Sequence, residues 1–271
     1  MAKAKIGSPL FILREECQKD LIEVLDKLAQ IGYDGIEFLG FFGQKPSDIK
    51  NKLDSCGLTA IGDHVAFDEF DKNTAKVIDE HKEVGCEYIT VGAPPAVDSY
   101  ATETFERIGE AMNAAGMKLL FHNHAEELKY KENGKTILEN IFDDTRPDLL
   151  YCEPDLGWIS IGGGDPAYYL QKYKNRCPVV HFKDYICVGR DDLGATPIKE
   201  NGFLFRPTGY GIMNNAELYK ISLDCDFPPE WYVMDHDCAY ERDSYFDLKI
   251  SLEYFKNLIE VTKYTIPVYL P

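Results

Sequence analysis

Short apolar runs recur along the chain at intervals that leave room for one helix between each pair. Eight of them read as strands: KIGSPLFI (5–12), GIEFLG (35–40), TAIGDHV (59–65), YITVGA (88–93), KLLFHNH (118–124), LLYCEPD (149–155), VVHFKD (179–184) and WYVMDHD (231–237). Between them the apolar period changes. In CQKDLIEVLDKLAQIG (17–32), Leu21, Val24, Leu25 and Leu28 are spaced by three, one and three, which places them on one helical face. Gly32 follows this run, and Gly57, Gly85 and Gly116 follow later ones. Each fits a helix stop, because a helix end readily takes the left-handed conformation that glycine adopts without strain.

Alternating strand and helix patterns with no Ser- or Pro-rich linker predict an α/β chain, a single (β/α)8 TIM barrel forming one domain over residues 1–271. The unit period carries no sequence repeat, which sets a solenoid aside. One long segment, Tyr185 to Met213, is rich in Gly, Pro and Asp and reads as an irregular lid or binding loop.

Composition narrows the function. Of 271 residues 45% are hydrophobic, enough for a large core, and 46 Asp and Glu against 29 Lys and Arg give a net charge of −17. A nucleic-acid binder needs cations to displace counterions, so no nucleic-acid partner is expected. The eight cysteines never form a CxxC pair and read as core residues of a reducing compartment. The apolar stretch in MAKAKIGSPLFILREE is too short for a signal peptide. No apolar segment approaches the roughly 18 residues of a membrane span, so a cytoplasmic protein without a membrane partner is expected. Assembly as a homo-oligomer is left open.

The strands end in an unusual way. KLLFHNH runs from apolar residues into His122, Asn123 and His124. Similar endings supply Glu37, His64, Asp155, His181, Lys183, Asp235 and Asp237. One buried His or Asp is readily explained by a backbone hydrogen bond. Six strands ending so are not, because ionisable groups packed at one mouth are costly unless they share a metal or ligand. Imidazole with carboxylate suits manganese, cobalt, iron or zinc, whereas calcium and magnesium prefer all-oxygen sites. Lys183 shares its strand face with His181 and could polarise a carbonyl, act as a base or pair with Glu153 or Asp155. Glu37 and His64 are the other acid/base candidates; alternatively, each is a satisfied buried polar group. His124 could orient His122 or bond a substrate hydroxyl. Arg206 and Tyr210, in the long segment, are candidate substrate contacts. GGGDP (162–166) lacks phosphate-loop spacing and reads as a turn before a helix opened by Asp165 and Pro166.

In order and spacing, GYDGIEF, GDHVAFDEF, GMKLLFHNHAEEL, EPDLGW, VVHFKDY, GYG and WYVMDHD resemble the xylose-isomerase-like superfamily. Within it they are most similar to the sugar phosphate isomerase/epimerase branch and its inositol-catabolism dehydratases. The resemblance implies a TIM barrel acting on a sugar or polyol with one divalent ion, held by His122, Asp155, His181 and Asp235. Two of these depart from the family's usual Glu ligands, His122 by type and Asp235 by length. A symmetric pair of carboxylates for epimerisation is therefore incomplete. Trp158 stands where related epimerases and AP endonucleases carry His, and is expected against a sugar face. The resemblance implies an isomerase or epimerase working through an enediolate, with a lyase or dehydratase as the alternative. An AP endonuclease-like nuclease and a non-catalytic sugar-binding barrel are the remaining classes, the first disfavoured by charge and by only six histidines.

Overall fold

The structure, a computed structural model, describes residues 4–92, 99–129, 133–188 and 202–265. Strands and helices alternate as β1 (Lys5–Pro9), α1 (Arg14–Ile31), β2 (Gly35–Phe38), α2 (Pro46–Cys56), β3 (Thr59–Asp63) and α3 (Phe67–Val84). Next come β4 (Tyr88–Val91), α4 (Ser99–Ala115), β5 (Lys118–His122), α5 (Ile137–Asp144), β6 (Tyr151–Glu153), α6 (Leu156–Ile161) and α7 (Pro166–Lys172). The chain continues through β7 (Val179–His181), β8 (Asp184–Cys187), β9 (Phe203–Arg206), α8 (Asn215–Ser222), β10 (Trp231–Val233) and α9 (Ser244–Thr265).

Five parallel strands form one sheet in the order β3-β2-β1-β10-β7, and three more form β4-β5-β6. Single parallel bridges lie at both seams, His64 with Thr90 and Asp155 with His181. All eight expected strands are present, but each ladder stops short of the expected end. Polar residues occupy the last rungs and the positions just past them: Glu37, His122, Glu153 and His181 are paired within the ladders, and His124, Asp155 and Asp235 lie beyond the ends of β5, β6 and β10.

The sheets carry apolar side chains on both faces. A large cluster, including Leu25, Ile36, Ile89, Phe121 and Phe255, fills the space between strands and helices. A smaller one of Ile61, Tyr88, Leu120, Val179, Trp231 and Val233 lies on the other face of the strands. This second face leaves little room: a Cβ at Gly35 would stand 2.6 Å from the Trp231 ring. Gly32, Gly57 and Gly85 close α1, α2 and α3 in the left-handed conformation, as their positions after the apolar runs predict. Asp165 caps α7 through the Ala167 amide, with Pro166 in its first turn.

The segment 185–213 needs correction. It was expected to be irregular, yet β8 and β9 pair antiparallel from Asp184–Arg206 to Cys187–Phe203. Aromatic residues drive this pairing: Phe203 and Phe205 meet each other and both pack on Trp158, while Tyr185 packs on Phe203. Residues 189–201 lie outside the described part. Among the described residues no helix is long and apolar enough to cross a membrane.

Candidate metal centre and active site

The strand ends enclose a cavity of about 300 Å³ lined by Glu37, His64, His122, His124, Trp158, His181, Lys183, Asp235 and Asp237, with Leu10 and Phe11 on its rim. Glu37 lies in β2, His122 ends β5, Glu153 ends β6 and His181 ends β7. Asp155 caps α6, one carboxylate oxygen accepting from the Trp158 amide at 2.8 Å.

Two imidazoles organise the centre. His122 turns Nδ1 to Glu153 at 3.0 Å and Nε2 towards Asp155 at 3.7 Å. His181 turns Nδ1 to Asp235 at 3.1 Å and Nε2 to Glu37 and Glu153 at 2.8 and 3.2 Å. His64 Nε2 is 3.2 Å from both Glu37 and Glu153. Donor atoms of His122, Asp155, His181 and Asp235 all lie within 4.8 Å of one another. The same holds for those of His64, His122, Glu153 and His181.

Lys183 is buried and stands 3.0, 2.9 and 2.7 Å from Asp155, Asp235 and Asp237. Burial opposes its charge, but these three carboxylates outweigh it and hold the ammonium well above the ordinary lysine range. Its Nζ also lies 4.9 Å from the centre of the Trp158 ring. Burial opposes protonation of His64 too, yet Glu37 and Glu153 push it up to about 10. His124, by contrast, is brought down to about 4 by burial and by the charge of Lys183.

Known proteins bear on this geometry. An inosose dehydratase from Geobacillus kaustophilus is 25% identical over 273 residues, covering 88% of this chain and 87% of that protein. No protein-family model matches the chain. A sugar phosphate isomerase/epimerase from Parabacteroides distasonis superposes with a TM-score of 0.76 at 24% identity, covering 94% of each chain. A D-psicose 3-epimerase from Clostridium cellulolyticum H10 does so at 0.71 and 11% identity, over 94% of this chain and 99% of its own. The chain has the fold of the xylose-isomerase-like sugar phosphate isomerases and epimerases.

Within this xylose-isomerase-like fold the structure gathers His122, Asp155, His181, Asp235, Lys183, Glu37, His64, His124 and Trp158 around one space. Two expected contacts are not among its lining residues. Arg206 lies in β9 and donates to the Phe205 carbonyl, and Tyr210 is an exposed residue of the following turn. His236 faces away, its Nε2 against the Cys238 carbonyl. Asn123 and Glu127 are structural: Asn123 Oδ1 accepts from the Asp155 amide and Glu127 accepts from the His124 amide. From the sequence, Asp237 reads only as a polar strand ending and Glu153 only as a partner for Lys183, neither with a role of its own in the site. Alternation could have found both, since Glu153 shares a strand face with Asp155, and Asp237 with Asp235.

The donor set fits a transition metal. Glu37, Glu153, Asp155, Asp235 and Asp237 place five carboxylates against one lysine, and three imidazoles stand among them. Among the described residues, buried Glu37 Oε1 has no hydrogen-bond partner, and Asp155 Oδ2, His181 Nε2 and Glu37 Oε2 make no hydrogen bond either, although each stands in an ion pair given above. Buried polar atoms are rarely left so unless something else binds them.

Proposed function

We propose that this protein is a divalent-metal-dependent enzyme that moves a proton at the carbon next to the carbonyl of a keto-sugar or keto-polyol. The observation that carries this reading is the clustering of five carboxylates with three imidazoles at the strand ends, beside a cavity that Glu37, Asp235, Asp237 and the three imidazoles line. In this reading eight parallel strands close into one barrel, residues 1–271 form one cytoplasmic domain, and the substrate enters at that mouth.

His122 Nε2, Asp155, His181 Nδ1 and Asp235 would hold one manganese, cobalt, iron or zinc ion. The ion would polarise the substrate carbonyl and favour its enediolate. The protein's residues do the rest. Lys183, though first among the expected bases, is kept charged by three carboxylates and has no lone pair to accept a proton. Its role is to balance charge and to donate to a substrate oxygen. Glu37, buried and with neither oxygen in a hydrogen bond, takes the proton. His64, 3.2 Å from Glu37, is charged and acts as the acid beside it. Trp158 offers a flat apolar wall for a sugar face, and neutral His124 reaches a hydroxyl.

Epimerisation returns a proton to the opposite face of the same carbon, and isomerisation delivers it to the neighbouring carbon. A second reading, loss of water from a keto-polyol, is favoured by the inosose dehydratases among the sequence relatives. Charged His64 suits that path as well, as the acid for a departing hydroxyl. Both readings share the first proton abstraction. Incubation of the manganese-loaded protein with an inosose, D-tagatose and L-ribulose, followed by NMR and mass spectrometry, separates them. Loss of one water marks a dehydratase, and an isomer of equal mass marks an isomerase or epimerase. Failure of every keto-substrate to react or to exchange protons would overturn the enzymatic reading.

A further inference from the structure

We propose that a second divalent-cation site adjoins the first on the side of the β6 end, the deeper set along that strand, formed by His64 Nε2, Glu153 Oε1, His122 Nδ1 and His181 Nε2. It goes beyond the function proposed above, which requires only the outer set. Glu153 Oε1 is the hub, 3.2, 3.0 and 3.2 Å from the nitrogens of His64, His122 and His181. Ligand atoms about 2.0–2.2 Å from a tetrahedral ion stand roughly 3.3–3.6 Å from each other, so these edges need open by only a few tenths of an ångström to form a coordination shell. Glu153 is oriented for this. Thr90 donates to its other oxygen at 2.8 Å, leaving Oε1 aimed at the three imidazoles.

A second observation points the same way. His181 Nε2 is buried and 2.8 Å from Glu37 Oε2, yet neither atom makes a hydrogen bond. Close approach without hydrogen-bond alignment is how atoms stand around a shared cation. The two sets also differ in their neighbours. Asp155 Oδ2 and Asp235 Oδ2, the oxygens of the outer set, are both contacted by the Lys183 ammonium. Among the described residues no Lys or Arg pairs with Glu37 or Glu153. The deeper set therefore offers the Glu153 carboxylate, with Glu37 beside it, to a cation without competition from a fixed ammonium.

A neutral imidazole has one lone pair, so His122 and His181 can each serve only one set at a time. The two sites are thus alternative stations for a single ion. Titration with Zn²⁺, with elemental analysis after dialysis, tests this directly. The wild-type chain is expected to bind one ion. Asp155→Asn/Asp235→Asn should still bind one, with affinity within about tenfold. Adding Glu153→Gln and His64→Gln to that background should weaken binding by about a hundredfold or more, beyond the cost of losing an outer partner. If the double variant does not fold, Asp235→Asn alone takes its place. A folded outer-set variant that binds no zinc, while wild type does, overturns the deeper site and leaves the proposed function standing. The same holds if Glu153→Gln and His64→Gln change nothing in the outer-set background. A wild-type chain that binds no zinc overturns both.

Discussion

Lys183 donates to Asp237 at 2.7 Å, and that bond closes a ring of three carboxylates around one buried ammonium. The arrangement fixes what Lys183 can do. A lysine acts as a base only after losing its proton, and three anions within 3.0 Å keep the proton in place.

Replacement of Lys183 by Met is therefore expected to act first on stability. Removing one partner of a buried ionic cluster leaves uncompensated charge, at a cost of about 3–5 kcal/mol. Urea unfolding should show a lower midpoint with an unchanged slope. Unfolding indistinguishable from wild type would mean that the three carboxylates do not depend on this cation.

His181 belongs to both candidate ligand sets, and His236 to neither. His181→Ala should abolish binding of one equivalent of manganese or zinc, read by elemental analysis after dialysis, whereas His236→Ala should retain it. Bound metal should also stabilise the wild-type fold, by about 2.7 kcal/mol at a free concentration one hundred times Kd. A melting temperature unmoved by added metal would contradict this.

Gly35→Ala tests the packing beneath the site. The added Cβ would meet the Trp231 ring at 2.6 Å and the Thr59 carbonyl at 2.9 Å. Overpacking of this kind costs about 1–3 kcal/mol. The variant should melt lower, and the double variant Gly35→Ala/Trp231→Phe should recover part of the loss.

Glu139 links α5 to α7. It completes a capping box with Thr136 and accepts from Lys172 at 2.5 Å and Tyr168 at 3.0 Å. Burial would raise its carboxyl, but the bonds from Lys172, the Thr136 amide and Tyr168 bring it down to about 2, from an ordinary 4.5. A depressed folded value means stability that is present above the unfolded value and lost as pH falls from 4.5 towards 2. Glu139→Gln should flatten that part of the acid-unfolding curve. An acid limb identical to wild type would show that the bonds do not favour the ionised form.

Much of the site was legible because its residues interrupt apolar runs. His122, Asp155, His181 and Asp235 each follow or end a strand, and the eight strand–helix patterns order them around one mouth. What stayed hidden depends on contacts between distant segments. Glu153 looks like a spacer between Cys152 and Pro154 until His64, His122 and His181, from three other strand ends, are seen to meet it. The β8–β9 pair was masked by Gly and Pro in its connection, and its cause, the packing of Phe203 and Phe205 on Trp158, is tertiary. Arg206 reads as a candidate substrate contact from its place in the long segment, but its guanidinium turns back to the Phe205 carbonyl.

Solvent exchange tests the central claim most directly. Metal-loaded protein in deuterium oxide with an inosose or a keto-sugar should place deuterium at the carbon next to the carbonyl, even where no product accumulates. Glu37→Gln should slow that exchange by about two to four orders of magnitude, and manganese bound at the outer set should remain. Exchange at the wild-type rate in Glu37→Gln, or none in the metal-loaded wild type with any of these substrates, would contradict the account.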